Sequence, residues 1–318
     1  MRVLCIDFET HAIGPRPDHY PPEPVSVALK PARGKAIWLA WGHPTGNNCT
    51  KAEAVRKIGA ALAAHTEILC HNAAFDIAVL YERLGLTVDH MVVHDTMVAA
   101  FLHVPYERSL GLKELAESQL GMPPNERDEV RQWLIDNKVV KKSLTKGWGA
   151  FICEAPGDLV GKYAIGDVER TYALFMHWKP WAHPAYSREM RIVLLNIEME
   201  RRGVPVNTDQ MVEDDAHGTA VLESADAAIR RSLGRDFDID SPNEMADAVE
   251  ARFGVSLPVT EKGNRRTARE PLMSVIPDAA LKAQLTYRSA LAYSLRNYVR
   301  PWSIQSARRG TRSEERRV

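Results

Sequence analysis

Two acidic residues near the start of the chain, Asp7 and Glu9, are spaced so that they could bind a metal ion together. They lie in and just after an apolar, β-forming run at 3–8, which predicts a central strand. Because side chains alternate across a strand, both carboxylates project from one face and Phe8 projects from the other. Like charges on one face repel unless a cation lies between them, which favours a metal site. The alternative is an exposed strand end that carries ordinary acids.

A second pair of polar residues lies in the segment HNAAFD, residues 71–76. Asn72 and Asp76 are four apart, so they share one face of the helix that is predicted to begin there. Taken alone, the pair favours a simple interpretation, in which Asn72 caps the helix and Asp76 interacts with its dipole.

A third pair lies in the segment YAIGDVERTYAL, residues 163–174. Tyr163 and Asp167 are four apart on a predicted helix and therefore face the same way. A surface acid beside a half-buried tyrosine would explain them equally well. Each pair is weak evidence by itself, but the three pairs in this order form a specific pattern.

The elements that must position these residues divide the chain into two parts. Over positions 1–180, short apolar strands alternate with helices, which predicts an α/β domain. Beyond position 180 only helical patterns follow, among them a helix opened by Ser241 and Pro242, so this part is predicted to be all-α. The C-terminal segment 303–318 contains five Arg and almost no apolar side chains, and we expect it to be a disordered tail.

The composition is that of a globular protein and excludes several classes. The chain has 318 residues, 41 basic and 41 acidic, so bulk charge gives no argument for nucleic-acid or membrane binding. It contains no apolar run long enough to form a transmembrane helix, and we expect no membrane partner. The four cysteines form no C-x-x-C motif, which argues against a structural zinc site and favours a cytoplasmic location.

Together the three motifs resemble the 3′–5′ exonuclease domain of the DnaQ-like superfamily, in its tyrosine-containing (DEDDy) group. They match as D-F-E-T at 7–10, H-N-A-A-F-D at 71–76 and Y-x-x-x-D at 163–167. The resemblance is to the proofreading domain of family A, DNA polymerase I-like, enzymes and covers residues 1–180. It implies a ribonuclease H-like fold, a mixed sheet flanked by helices.

The resemblance also implies a catalytic site for two-metal phosphodiester hydrolysis. In this site Asp7, Glu9 and Asp167 hold one divalent cation, with Asp7 bridging to a second that Asp76 helps to hold through water. An all-carboxylate ligand set suits Mg²⁺ or Mn²⁺.

Three further residues acquire roles from the same resemblance. Tyr163 is expected to orient the attacking water, since a tyrosine is a poor base at neutral pH. Asn72 and Phe75 are candidates for contacting the terminal nucleotide.

The second part of the chain resembles the beginning of a family A polymerase. Residues 194–207 resemble the segment that joins exonuclease to polymerase, and 237–268 and 285–302 resemble parts of the thumb, giving a thumb-like region at 181–302. Counterparts of the palm and fingers motifs are absent from the sequence, so we expect no polymerase activity in this chain. A loop with Lys262, Arg265, Arg266 and Arg269 is interpreted as gripping phosphates, with a solvated loop as the alternative.

The sequence therefore predicts a metal-dependent, proofreading-type 3′–5′ exonuclease that acts on single-stranded or frayed DNA 3′ ends. It would be part of, or derived from, a family A polymerase, with a separately encoded polymerase part as a candidate partner. Two alternatives remain open: a catalytically idle DNA-binding fragment of a polymerase, and a ribonuclease D-type RNA exonuclease.

Overall fold

The chain forms two compact units, Met1–Gly203 and Val204–Val318. The computed structural model of the protein describes residues 2–14, 19–203 and 207–304. The β-sheet belongs to the first unit, and the described part of the second unit is helical. The predicted disordered tail lies almost wholly outside the described residues.

The first unit is built on one mixed five-stranded sheet. Its strands are listed here in chain order: β1 (Val3–Thr10), β2 (Pro24–Pro31), β3 (Ile37–Ala40), β4 (Glu67–Cys70) and β5 (Val92–Asp95). The spatial order is β3-β2-β1-β4-β5, so β1 lies at the centre. The β1–β2 and β2–β3 pairs are antiparallel, whereas β1–β4 and β4–β5 are parallel. The predicted mixed sheet and the central position of β1 are confirmed.

Strand β2 was not predicted from the sequence. It is bounded by Pro24 and Pro31 and follows a proline-rich stretch that is typical of an irregular loop. The prolines lie at the two ends of the strand, so the residues between them can still pair in full. In the β1–β2 register Asp7 lies opposite Ala28 and Glu9 lies opposite Ser26.

Helices cover the sheet. The first unit contains α1 (Lys51–Ala63), α2 (Ala73–Leu84), α3 (Thr96–His103), α4 (Leu112–Leu120), α5 (Asn125–Asp136), α6 (Gly157–Trp178) and α7 (Tyr186–Arg202), with 3-10 turns at Trp148–Glu154 and Pro180–Ala182. Helix α1 begins with a capping box between Thr50 and Glu53. Pro156 occupies the N-cap position of α6, and Asp158 lies in its first turn.

Helix α7 packs into the core of the first unit although it lies beyond residue 180. Its Tyr186, Met190 and Ile197 are buried in the same apolar cluster as the sheet residues Ile6 and Ile68. The Tyr186 hydroxyl also accepts a hydrogen bond of 3.1 Å from the Asp95 backbone N–H. The domain boundary at residue 180 stays a prediction.

The second unit contains α8 (Thr208–Leu233), α9 (Pro242–Phe253), α10 (Arg269–Val275), α11 (Ala279–Ser294) and a π-helical turn at Leu295–Val299. Ser241 caps α9 by accepting from the Glu244 N–H, as the Ser-Pro pair predicted. Helix α10 was not predicted. The described residues of this unit contain no strand, which confirms the all-α expectation. No helix in the described ranges of either unit is long and apolar enough to cross a membrane.

Candidate active site

Three of the predicted site residues bring their carboxylates together. Asp7 and Glu9 project from one face of β1, and Asp167 projects toward them from α6, which packs on that strand. One ligand oxygen from each residue lies within 4.8 Å of the other two. Phe8, between the two acids of β1, is 4% exposed and packs into the core on the opposite face. Because side chains alternate along β1 and α6 packs on that strand, the three carboxylates form one negatively charged cluster.

The fourth predicted carboxylate, Asp76, lies beside this group but is not a member of the three-residue cluster. It projects from the first turn of α2 and is only 2% exposed. Its Oδ1 accepts a hydrogen bond of 3.1 Å from the backbone N–H of Phe8, the residue between Asp7 and Glu9. Asp76 is thus fixed against the backbone of β1, and its role in binding a second metal stays a prediction.

Burial makes the negative charges of this site costly. It raises the pKa of Asp7 to about 7, and the neighbouring Asp167 carboxylate contributes to that rise. Burial, with the charge of Asp7 next, also raises the pKa of Glu9 and of Asp76. Burial raises the pKa of Asp167 as well, although the Lys113 ammonium counteracts it. A bound cation would remove this penalty, and closely spaced carboxylate oxygens are the donors that Mg²⁺ and Mn²⁺ prefer, so the residues present fit the metals.

Tyr163 borders the carboxylate cluster from one turn earlier on α6. Burial raises the pKa of its phenol well above the usual range, and the Asp167 and Glu9 charges add to the effect. The phenol is therefore neutral at physiological pH and can orient a water molecule by hydrogen bonding but cannot act as a strong base.

Two basic residues that sequence reasoning missed contact this site. The Lys113 Nζ on α4 donates to the Tyr163 hydroxyl at 2.9 Å and to Asp167 Oδ2 at 2.6 Å. Arg170 on α6 lies 3.4 Å from Asp167 Oδ1 and also pairs with Glu126. Nothing in the sequence pattern around Lys113 indicates that this lysine points at α6.

The two predicted nucleotide contacts, Asn72 and Phe75, lie at the start of α2. Asn72 is exposed with a φ of 71°, and its side chain does not cap the helix. The cap is supplied by Asp95, whose carboxylate accepts from the backbone N–H groups of Asn72 and Ala73 at 3.0 and 2.8 Å. The capping interpretation of Asn72 is therefore wrong, and its side chain is left available for other contacts. Phe75 is half-buried with its ring edge-on to Tyr20. Substrate contact by Asn72 and Phe75 stays a prediction.

Two residues of the basic loop in the second unit, Arg265 and Arg269, form ion pairs or hydrogen bonds within that unit. Arg265 lies 2.5 Å from Asp247 and 3.0 Å from Glu250, and Arg269 donates to Thr286. Arg265 is therefore engaged in holding the loop, which weakens its interpretation as a phosphate-binding residue.

A family model described as a 3′–5′ exonuclease, of the DNA polymerase A type, matches residues 1–180 of the chain. The match covers more than half of the sequence and includes every residue of the site. The chain belongs to this family.

Comparison with solved structures shows the same fold over most of the length of this chain. The POL domain of Pol1 from M. smegmatis, solved in complex with a DNA primer-template and dNTP, matches with a TM-score of 0.56 and 17% identity. The alignment covers 93% of this chain but 46% of the Pol1 chain, so this chain spans less than half of the length of its match.

A second solved structure covers a smaller share of the chain. Brucella melitensis NrnC with bound Mg²⁺ matches with a TM-score of 0.42 and 18% identity, over 64% of this chain and 87% of NrnC. NrnC bound to pGG gives a TM-score of 0.42, 17% identity and 64% and 86% coverage. Among curated proteins, none matches the sequence.

Proposed function

We propose that this exonuclease removes nucleotides from the 3′ ends of DNA by metal-dependent hydrolysis, as a proofreading-type activity. The convergence of Asp7, Glu9 and Asp167 from two elements carries the proposal, because Asp167 is separated from Asp7 and Glu9 by about half of the chain yet lies in one cluster with them. Two divalent cations, Mg²⁺ or Mn²⁺, supply activation of water and neutralisation of phosphate charge when bound.

Each carboxylate has a role in this proposal that follows from its position. Asp7, Glu9 and Asp167 would together hold the first cation, and Asp7 would also contribute to holding the second. Asp76 is oriented by the Phe8 N–H through Oδ1, so its Oδ2 is left for the second cation or its water.

Tyr163 has a positioning role at the reacting phosphate. Its neutral phenol lies beside Asp167 on the same face of α6, where it can hydrogen-bond the attacking water and fix its direction. A Tyr163→Phe variant would therefore retain metal binding and lose hydrolysis rate.

One feature supports a nucleic-acid substrate, and a second favours DNA over RNA. Lys138, Lys141, Lys142 and Lys146 are exposed in the first unit, in a segment without acids, and none forms an ion pair with a described residue. Such lysines can neutralise phosphates. The Pol1 structure with its primer-template shares the fold over both units, which favours DNA. A separately encoded polymerase part remains the proposed protein partner.

The test compares 5′-labelled strands of one sequence as single-stranded DNA, single-stranded RNA, and duplex DNA with a matched or mismatched 3′ end. We expect stepwise shortening from the 3′ end in Mg²⁺ or Mn²⁺, with mismatched ends cut faster than matched ends because they are already unpaired. RNA cut faster than DNA would establish the RNA exonuclease instead. Binding of DNA without shortening would establish the idle fragment, and primer extension with added nucleotides would contradict the absence of polymerase activity.

A further inference from the structure

Lys113 reaches the candidate active site from outside the elements that carry the carboxylates. It is the second residue of α4, a helix anchored to the core by the buried Leu115 and Ala116. Its side chain is only 13% exposed, and its Nζ lies 4.1 Å from the centre of the Tyr163 ring. The same Nζ donates to the Tyr163 hydroxyl and to Asp167 Oδ2. One ammonium thus joins the two site residues of α6 to a second helix.

The direction of these hydrogen bonds determines what the Tyr163 hydroxyl can do. A lysine ammonium has three donors and no acceptor, so the phenol oxygen must be the acceptor in its bond with Lys113. The phenol proton is then free to point away from Lys113. We infer that Lys113 is a positioning residue that holds Tyr163 as a hydrogen-bond donor toward the reacting water or phosphate; this inference rests on the proposed function.

The contact with the ring reinforces this arrangement. An ammonium within about 6 Å of an aromatic face is attracted to the ring electrons, and a buried site strengthens the attraction. Lys113 therefore restrains both the position of the Tyr163 ring and the orientation of its hydroxyl. Its bond to Asp167 fixes the ammonium itself, because that carboxylate is on the same face of α6 one turn later.

This role differs from a direct charge effect on the metal site. If Lys113 acts through Tyr163, its removal has no further effect once the Tyr163 hydroxyl is gone. If it acts mainly by neutralising Asp167, its removal slows the reaction equally with and without that hydroxyl. A mutant cycle over the two residues separates these cases.

The experiment uses the full chain with Lys113→Met, Tyr163→Phe and the double variant, and measures kcat and KM on a single-stranded DNA 3′ end. We expect Lys113→Met to lower kcat by roughly 10- to 100-fold with KM unchanged, as for a misplaced catalytic group. The double variant should be no slower than Tyr163→Phe alone. Lys162→Met is the matched control, since Lys162 neighbours Tyr163 on α6 but its side chain is 72% exposed and near Glu129.

A second readout, Mn²⁺ binding measured by calorimetry, does not depend on activity. Lys113→Met should bind Mn²⁺ at least as tightly as wild type, because the ammonium competes with a cation for Asp167 Oδ2. Weaker Mn²⁺ binding would overturn the inference by showing that Lys113 supports the carboxylates instead. Should Lys113→Met fail to fold, Lys113→Gln replaces it in the same cycle.

The outcomes separate this inference from the proposed function. If the wild type is active and Lys113→Met is equally active, the role of Lys113 is refuted and the exonuclease proposal is not. The same holds if the double variant is slowed by the product of the two single effects. A wild type that shortens no strand in Mg²⁺ or Mn²⁺ refutes the exonuclease proposal itself.

Discussion

Replacing Asp7 with asparagine should stabilise the metal-free protein while it abolishes hydrolysis. Asp7 is held among the Glu9 and Asp167 carboxylates, and burial raises its pKa from 3.8 to about 7. The folded state therefore resists the ionisation that the unfolded chain undergoes freely. The contribution of the protonated Asp7 carboxyl to the unfolding free energy is fully present below pH 3.8. It is lost as the pH rises through about 7 and stays lost above that pH.

The size of this effect follows from the shift in pKa. A rise from 3.8 to about 7 corresponds to about 4 kcal/mol of unfolding free energy at pH 8. At pH 5 ionisation of Asp7 has cost less than half of this unfolding free energy. The Asp7→Asn substitution should therefore stabilise the protein much less at pH 5 than at pH 8.

The assay is calorimetric unfolding of wild type and Asp7→Asn in the presence of EDTA at pH 5 and pH 8. A unit of about 200 residues gains about 2–4 °C in Tm per kcal/mol, so the shift at pH 8 is readily measured. Asp128→Asn is the control, since Asp128 lies on α5 with 77% of its side chain exposed. A lower Tm for Asp7→Asn at pH 8, or equal gains at both pH values, would refute the electrostatic reasoning.

Two further predictions concern the support of the site and its substrate. Asp95→Ala removes the acceptor for backbone N–H groups at the starts of both α2 and α3. It should lower the unfolding free energy, measured by urea titration, by about 2 kcal/mol. An unchanged midpoint of urea unfolding would contradict the capping role of Asp95. Lys141→Gln with Lys142→Gln should reduce the dependence of log kcat/KM for single-stranded DNA on log salt by about 0.7 for each lysine. An unchanged slope would place the DNA strand elsewhere.

The main features of the site could be predicted from the sequence because they depend on short-range geometry. Strand alternation places Asp7 and Glu9 on one face and Phe8 in the core. Helical spacing places Tyr163 and Asp167 on one face of α6. The resemblance of the three motifs then supplied what spacing cannot, namely that these two faces meet.

The parts that were missed depend on contacts between distant residues. Lys113 reaches Tyr163 across 50 positions of sequence, and Asp95 caps α2, a helix that both begins and ends before it in the chain. Lys113 belongs to no local pattern that would distinguish it from a surface charge. Asp95 stands where a cap of α3 is expected, but no local pattern indicates that it also caps α2. Strand β2 was missed for a different reason, because its flanking prolines are typical of a loop.

The central claim is that the clustered carboxylates of Asp7, Glu9 and Asp167 would hold the cations needed to hydrolyse a 3′ terminal phosphodiester. The most direct measurement is the time course of a 5′-labelled single-stranded DNA with wild type and Asp167→Asn, in Mg²⁺, in Mn²⁺ and in EDTA. We predict a ladder shortened one nucleotide at a time from the 3′ end, seen only for wild type and only with a divalent cation. Equal cleavage by Asp167→Asn, or shortening in EDTA, would contradict the account.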